Sequence, residues 1–528
     1  MITHAIDAKR LPDKTDVLII GGGPNGLAMS GLLSELGITN VVVERKTELP
    51  RNPAAHVMRD RPVAILSLMG LGPALEKTTP DLALDYITWC TTLAGKEIGK
   101  IDFRSRPADL PADALYPWKN IPQNLLQPVL YAHATARPEA TVALGVECID
   151  IEDRRDGVVA TLAFANSDEE QTINASWAIA ADGAGSPVRD MLGIPMEGPG
   201  PFGQFYMIHF SAALQPVIKD RSGPIYWIHH PEAPGAFIIH EPDRSTVFMT
   251  PVFGTEGEDA GLPDRLAKAL GAPIPFEIHA IRTWIAHGQI ARHYKKGHAF
   301  LLGDAAHRFP PTGGLGLNTG IVEAHNLAWK LAMVIKGQAG EALLDTYEAE
   351  CKPAAEANAA DSMENQKRLG LIGAVLGWSS NLTQLEARID GLTTDEKIKL
   401  ADAIESQRSH FTFNGAMPLS DKSSGADALG PVISPYGAFR LYARSETPWR
   451  DAAAQLSARF GISINFHPLS DEDAPWSAGR ALILMRPDGC VEWAATKPGE
   501  QSFHELHQVL AEFLHRGIAD ASQRSMTS

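Results

Sequence analysis

Three short clusters in this sequence combine residue types and spacings suited to ligand chemistry. The first is Gly21-Gly22-Gly23-Pro24-Asn25-Gly26, a GxGxxG turn with Glu44 standing 18 residues beyond its last glycine. In such a turn Gly21 makes the tight bend, Gly23 lets backbone N–H groups reach a pyrophosphate, and Gly26 allows close helix packing, while the helix N-terminus adds positive potential. Glu44 is placed to accept hydrogen bonds from a ribose, so the cluster reads as a dinucleotide site. The second cluster is Asp182-Gly183, followed by Arg189, and the third is Gly303-Asp304, running on through Pro311 to Gly316-Leu317-Asn318. A strand-end aspartate beside a nucleotide fold is a natural ligand contact, although either one alone suits a turn equally well.

The surrounding pattern supplies the elements that must hold these clusters. Residues 16–20 form an apolar strand run ending at the glycine turn, a helical pattern follows over 27–36, and a second strand over 40–43 ends at Glu44. Residues 177–181 and 299–302 are apolar strands ending at the two aspartates, and an amphipathic helix is predicted over 319–335. Between them, 205–210, 224–229, 236–240 and 246–250 read as short strands split by Pro, Gly and Asp turns, a meander and not another βαβ repeat. The predicted fold class is α/β with α+β elements. A Rossmann-like βαβ domain covers 1–190 and 280–360, an inserted mixed β-sheet domain 191–279, a helical connector 361–425 and a C-terminal domain 426–528.

The C-terminal order, strand 439–443, helix 449–460, strands 462–466, 481–486 and 490–494, then helix 502–514, resembles a thioredoxin-like domain. It contains only Cys490 and no CxxC, so dithiol exchange is chemically closed to it and a structural or dimer-forming role is expected. A helical stretch is predicted over 348–370 and a polar Gly/Ser passage over 421–427, with Gly370, Gly373 and Gly377 serving helix packing.

Composition narrows the function classes. At roughly 150 residues per domain, 528 residues give two to four domains. With 47 Lys+Arg against 63 Asp+Glu, the net charge of −16 repels nucleic acid and anionic membranes. Cys90, Cys148, Cys351 and Cys490 are too dispersed for a zinc ribbon or a redox pair. The longest apolar candidate, 369–378, is far short of the ~20 residues a membrane helix needs, and residues 1–10 lack a secretory pattern. A cytoplasmic location is expected.

In this order, the GxGxxG, DG and GD clusters resemble the fingerprints of the FAD-dependent aromatic hydroxylases, single-component flavoprotein monooxygenases related to p-hydroxybenzoate and phenol hydroxylases. The resemblance spans most of residues 14–360. It implies FAD as the cofactor of the first domain, with Gly21, Gly23, Pro24, Asn25, Gly26, Glu44 and Arg45 on its AMP half. Gln123 corresponds to the family glutamine near the ribityl and phosphate region, Asp182, Gly183 and Gly303 belong to the cofactor set, and Asp304 should hold the ribityl chain. The helix starting near Gly316, Leu317 and Asn318 should aim free N–H groups at the ring edge that becomes negative on reduction. Leu315 departs from the Gln or Lys that relatives often carry, while Ala55-His56-Val57 followed by Arg61 resembles the phenol-hydroxylase branch, where this stretch packs near the flavin.

The resemblance further implies NADH or NADPH as a transiently docked co-substrate, since no second βαβ unit is present, and Arg189 is the cationic candidate for its pyrophosphate or for that of FAD. Reduced flavin and O2 would give a C4a-hydroperoxide whose distal oxygen passes to a small phenolic or polycyclic aromatic substrate. A base or relay should touch the substrate hydroxyl. Pro311, through its carbonyl, is expected to shape the oxygen site, and His56, Tyr226 and His230 are the polar candidates. Eight of the 18 histidines, at 209, 229, 230, 240, 279, 287, 293 and 298, crowd the inserted sheet and its flank without fixed spacing to the other clusters. The competing readings are Baeyer–Villiger or epoxidising oxygenation on the same fold, and a flavin-loaded binding or regulatory protein.

Overall fold

The computed structural model describes residues 11–82, 84–103, 119–165, 167–253, 261–411, 437–445, 447–470, 479–499 and 501–515. The polar passage at 421–427 and the boundary at 425–426 lie outside these residues. Strand Lys14–Ile20 is buried on both faces from Val17 on, as the middle of a parallel sheet requires. Its neighbours are Asn40–Glu44 on one side and Glu170–Ala180 on the other, both parallel, with Ala140–Leu144 and Ala299–Leu301 next outward. Ile20 pairs with Val43 and Ala180, and Ala180 with Leu301. All three clusters therefore emerge at one carboxyl edge of the sheet, where doubly wound folds bind ligands.

Helix Pro24–Glu35 opens directly at the glycine turn, with proline at its first turn where a missing N–H costs nothing. Helix Leu315–Ile335 begins earlier than the predicted 319, because Gly313 and Gly314, at φ of 109° and 63°, complete the reversal that starts it. It is buried on nearly every side and forms the spine of the molecule.

The second sheet has seven strands, in the order Phe276–Ala286, Gly203–Ala212, Ser245–Pro251, Gly235–Glu241, Ile225–Ile228, Tyr86–Cys90, Glu97–Asp102. It is mixed, since Ile225–Ile228 runs parallel to Tyr86–Cys90. The expected 191–279 segment is thus not the whole sheet: two strands come from 86–102, and the edge strand runs past 280. Apolar alternation marks a strand but carries no information on which distant strand pairs with it. One face, with Tyr206, Ile208, Phe210, Phe237 and Phe248, packs on helix Leu262–Leu270. The other carries Phe205, Met207, His209, Ile238, His240 and Met249, which turn toward the first domain, where His209 meets Asn52 and His240 meets His56, and Trp227, which packs with Ile372 and Leu376.

Helix Thr346–Leu376 extends the expected 348–370 at both ends, and Gly377, at φ 72°, closes it. Gly370 and Gly373 have nothing within 4 Å of a Cβ position, so helix packing is not their role. The C-terminal strands run in the order Ile464–Pro468, Phe439–Ala443, Leu482–Met485, Val491–Ala495, the first pair parallel and the rest antiparallel, matching the expected thioredoxin-like arrangement. Phe439, Leu456 and Leu510 of this domain share a core with Trp329 and Met333 of the spine helix. Among the described residues no helix is long and apolar enough to cross a membrane, and no group of three His, Cys, Asp or Glu is arranged to hold a metal. All four cysteines are buried free thiols.

Candidate active site

The glycine turn is locked by contact. Gly21 sits at φ 111°, and a Cβ there would lie 2.2 Å from the Ala181 carbonyl oxygen; one on Gly26 would lie 2.0 Å from that of Gly21. Gly23 differs, because its Cβ position meets no protein atom within 4 Å. Its missing side chain serves no internal packing and leaves the backbone open at the N-terminus of helix Pro24–Glu35, as a pyrophosphate needs. A cavity of about 170 Å³ adjoins it, lined among others by Gly21, Gly23, Glu44, Arg45, Cys148, Asp182 and Gly183. Glu44 orders this wall: one carboxylate oxygen accepts from Gly22 N–H at 2.8 Å and the other from Lys46 N–H at 3.0 Å.

Gln123 opens helix Gln123–Thr135 and donates to Gln127 at 3.2 Å, while Gln127 donates to the Gly22 carbonyl at 2.7 Å. Gln127 was not singled out from the sequence, yet its i,i+4 spacing from Gln123 puts both on one helix face. Asn25 packs its side chain against Gly303 and Gly320, where a Cβ would lie 2.3 and 2.0 Å from the amide nitrogen. The first cluster is thereby keyed into the third.

Asp182 accepts from the Ser186 hydroxyl at 2.5 Å and from Val188 N–H at 3.1 Å, and burial raises its pKa against these bonds. Arg189 does not stand at an outer docking surface. It is 4% exposed and donates to the carbonyls of Ala184 at 3.3 Å and Ala305 at 3.2 Å and to Asp190 at 3.2 Å. A guanidinium with its donors spent on internal acceptors ties the DG turn to the GD turn, so this arginine is a tether.

Asp304 is exposed to solvent along the cleft although protein crowds it, and that crowding raises its pKa. Gly316 lies against it, with a Cβ position 3.5 Å from its carboxylate. Beneath the turn, Glu323, not foreseen from sequence, accepts from Gly303 N–H at 3.0 Å and from the ring of His307 at 3.1 Å, the carboxylate and the imidazole both being almost wholly buried. Helix Leu315–Ile335 has no side-chain cap and no acid in its first turn, so its N-terminal N–H groups are left for a ligand. Leu317 is buried, and the Asn318 side chain is structural, accepting from Arg59 N–H at 2.8 Å and donating to the Val57 and Gly314 carbonyls at 2.8 and 2.6 Å. Pro311 is exposed, and its carbonyl already accepts Gly314 N–H at 3.1 Å, which occupies one of its lone pairs in the turn itself.

Of the polar candidates, only His56 faces this region. Its ring bonds Asn120 at 2.8 Å, and burial lowers its pKa to about 4. Tyr226 lies on the opposite sheet face, fully buried, its hydroxyl donating to the Arg221 carbonyl at 2.6 Å. His230 is also remote, in the turn after that strand, its ring accepting Glu232 N–H at 3.1 Å. Arg61 reaches away from the cleft to the Asp488 carbonyl of the C-terminal domain.

The open backbone at Gly23, the cavity walled by Glu44 and Asp182, the cleft-exposed Asp304 and the uncapped spine helix fit an FAD molecule extended along the sheet edge. Residues 14–362 match the FAD binding domain family. The chain belongs to the FAD-dependent aromatic hydroxylases. It is 32% identical to the 2,4-dichlorophenol 6-monooxygenase of Cupriavidus pinatubonensis over 98% of this chain and 99% of that one. It is 30% identical to the tetracenomycin A2 monooxygenase-dioxygenase of Streptomyces glaucescens, covering 96% and 97% of the two chains. Its fold superimposes on the flavin-dependent monooxygenase PieE with a TM-score of 0.85, at 24% identity, over 96% of this chain and all of PieE. It is therefore an FAD-dependent monooxygenase of aromatic substrates.

Proposed function

We propose that the protein hydroxylates a phenolic or polycyclic aromatic substrate, with NADH or NADPH as electron donor and O2 as oxygen source. The observation carrying this reading is the sheet face turned toward the cofactor cleft: Phe205, Met207, Ile238 and Met249 form an apolar wall, and His56, His209 and His240 are the polar groups beside it. Such a wall suits a flat aromatic body, and the imidazoles suit its hydroxyl. Names of relatives acting on a one-ring chlorophenol and on a tetracenomycin support both ends of that size range.

FAD, when bound, supplies the redox chemistry that activates O2. The protein's own residues do the rest. Glu44 and the glycine turn hold the nucleotide half, Asp304 orients the chain between nucleotide and ring, and the spine helix N-terminus favours negative charge near the ring. The apolar sheet face excludes water. Asn120 Oδ1 can only accept, so it fixes the proton on His56 Nδ1 and leaves Nε2 as the basic nitrogen. The nicotinamide is assigned no residue. A homodimer is part of this reading and is tested by light scattering. The decisive experiment screens phenols, naphthols and aromatic polyketides for ligand-stimulated NAD(P)H consumption with product mass spectra. A hydroxylated product supports the reading; ketone insertion or epoxide products would replace it with the rival oxygenations.

A further inference from the structure

Arg61 turns away from the cleft to the boundary between the first domain and the C-terminal domain, and two further groups meet it there. Arg61 lies on helix Asp60–Leu68, His325 on the spine helix and Arg440 on strand Phe439–Ala443. All three are buried, at 6, 7 and 3% exposure. They are close enough for the charges of Arg61 and Arg440 to act on His325, and for that of Arg61 to act on Arg440.

The acids around them are already spent. Asp488 accepts from Arg486 through both carboxylate oxygens, with Cys490 N–H, Asn326 and Trp329 as further donors. Glu350 accepts from Arg486 and Lys330, and Glu492 stands 3.8 Å from Arg486. Four cations, Arg61, Lys330, Arg440 and Arg486, thus meet three acids, and among the described residues Arg61 and Arg440 form no ion pair. Their hydrogen bonds go to neutral oxygens, Arg61 to the Asp488 carbonyl at 2.5 Å and Arg440 to the Tyr442 hydroxyl at 3.3 Å. Arg61 Nε, Arg440 Nε and Nη2 and His325 Nδ1 are all buried with no hydrogen-bond partner among the described residues. A buried guanidinium with open donors and no counter-charge is strongly disfavoured until something negative meets it.

We propose that Arg61, Arg440 and His325 form a binding site for a halide-sized monovalent anion, chloride being the physiological one, which clasps the C-terminal domain to helix Asp60–Leu68. The burial of all three side chains leaves no path for a bulky ligand, and the surplus of positive charge suits a small negative one. Burial, with Arg61 adding to it, lowers the pKa of His325 to about 4, so the ring is neutral at working pH and contributes an N–H donor and not a third charge.

The test needs no substrate. FAD-loaded protein, dialysed into sodium gluconate, is melted by circular dichroism with chloride or bromide replacing gluconate at constant ionic strength, gluconate being too large for the site. The site predicts a wild-type melting temperature that climbs by about 1–2 °C for each tenfold rise in halide above its dissociation constant. Arg440→Met should show no climb, and Arg440→Lys, which keeps the charge, should recover part of it. Wild-type crystals grown in bromide should show an anomalous peak between the two guanidinium groups, a measurement that stands even where a variant does not fold. A wild-type melting temperature indifferent to halide, with no such peak, overturns the site and leaves water as the acceptor. An equal halide response in Arg440→Met, with the bromide bound elsewhere, overturns it as well.

Discussion

Glu44 closes its strand, Asp304 follows a strand end and Arg189 lies in the short helix after the DG turn, and their surroundings assign them different work. Glu44 holds two backbone N–H groups at the rim of the cavity. Glu44→Ala removes charge-assisted bonds of the kind worth about 1.5–3 kcal/mol, so FAD affinity should fall roughly 10- to 150-fold by fluorescence titration. Asp304 is open to the cleft, and Asp304→Ala should purify largely flavin-free with its fold intact by circular dichroism. Arg189→Ala instead strands the carbonyls of Ala184 and Ala305, so its melting temperature should drop while any FAD-loaded fraction is reduced by NAD(P)H at the wild-type rate. A selective loss of flavin reduction would return Arg189 to a docking role. The strand-end clusters were legible because turn geometry forces their residue types. The sheet side chains were not: Tyr226 and Trp227 are adjacent and face opposite ways, and period-two alternation marks a strand without saying which face meets the cofactor.

At the scale of elements, the spine helix Leu315–Ile335 joins two otherwise separate pieces of chemistry. Its first turn faces the flavin cleft, and its later turns carry Asn326, Trp329 and Lys330 into a buried ionic cluster with the C-terminal domain. In that cluster Arg486 is bidentate to Glu350, at 2.7 and 2.8 Å, and also pairs with Asp488 at 2.5 Å. Removing one partner of a buried pair typically costs about 3–5 kcal/mol, so Arg486→Ala should unfold at markedly lower denaturant concentration. Glu492 lies at the cluster's edge, where burial lifts its pKa to about 7 against the pull of Arg486. The folded state then holds a proton that the unfolded chain releases near pH 4.5, so stability falls as pH rises from about 4.5 through 7. Glu492→Gln should remove a loss on the order of 3 kcal/mol, seen as a flatter melting profile between pH 5 and 8. An unchanged profile would mean that Glu492 is already ionised in the fold. The helix itself was foreseen from its amphipathic pattern, but its partners were not, because they lie about 160 residues downstream.

For the molecule as a whole, the thioredoxin-like domain acts as a brace. It shares a core with Trp329 and Met333, and the Asp488 carbonyl reaches Arg61 beside the segment that Asn318 clamps to the spine helix. Cys490 is buried there with its pKa pushed up to about 12, so it carries no thiolate at working pH. Cys490→Ser should retain FAD and turnover; lost turnover with FAD and fold retained would make the domain a participant in the chemistry. The central claim is that the cleft activates O2 for transfer to an aromatic ring held against the sheet. It is tested most directly by incubating the FAD-loaded protein with NAD(P)H, isotopically labelled O2 and the most stimulating phenol, and weighing the product. The account predicts one labelled oxygen atom in a hydroxylated ring, with NAD(P)H consumption matched to product. Consumption that yields only hydrogen peroxide across the whole panel of phenols, naphthols and aromatic polyketides, or a product carrying oxygen from water, would contradict it.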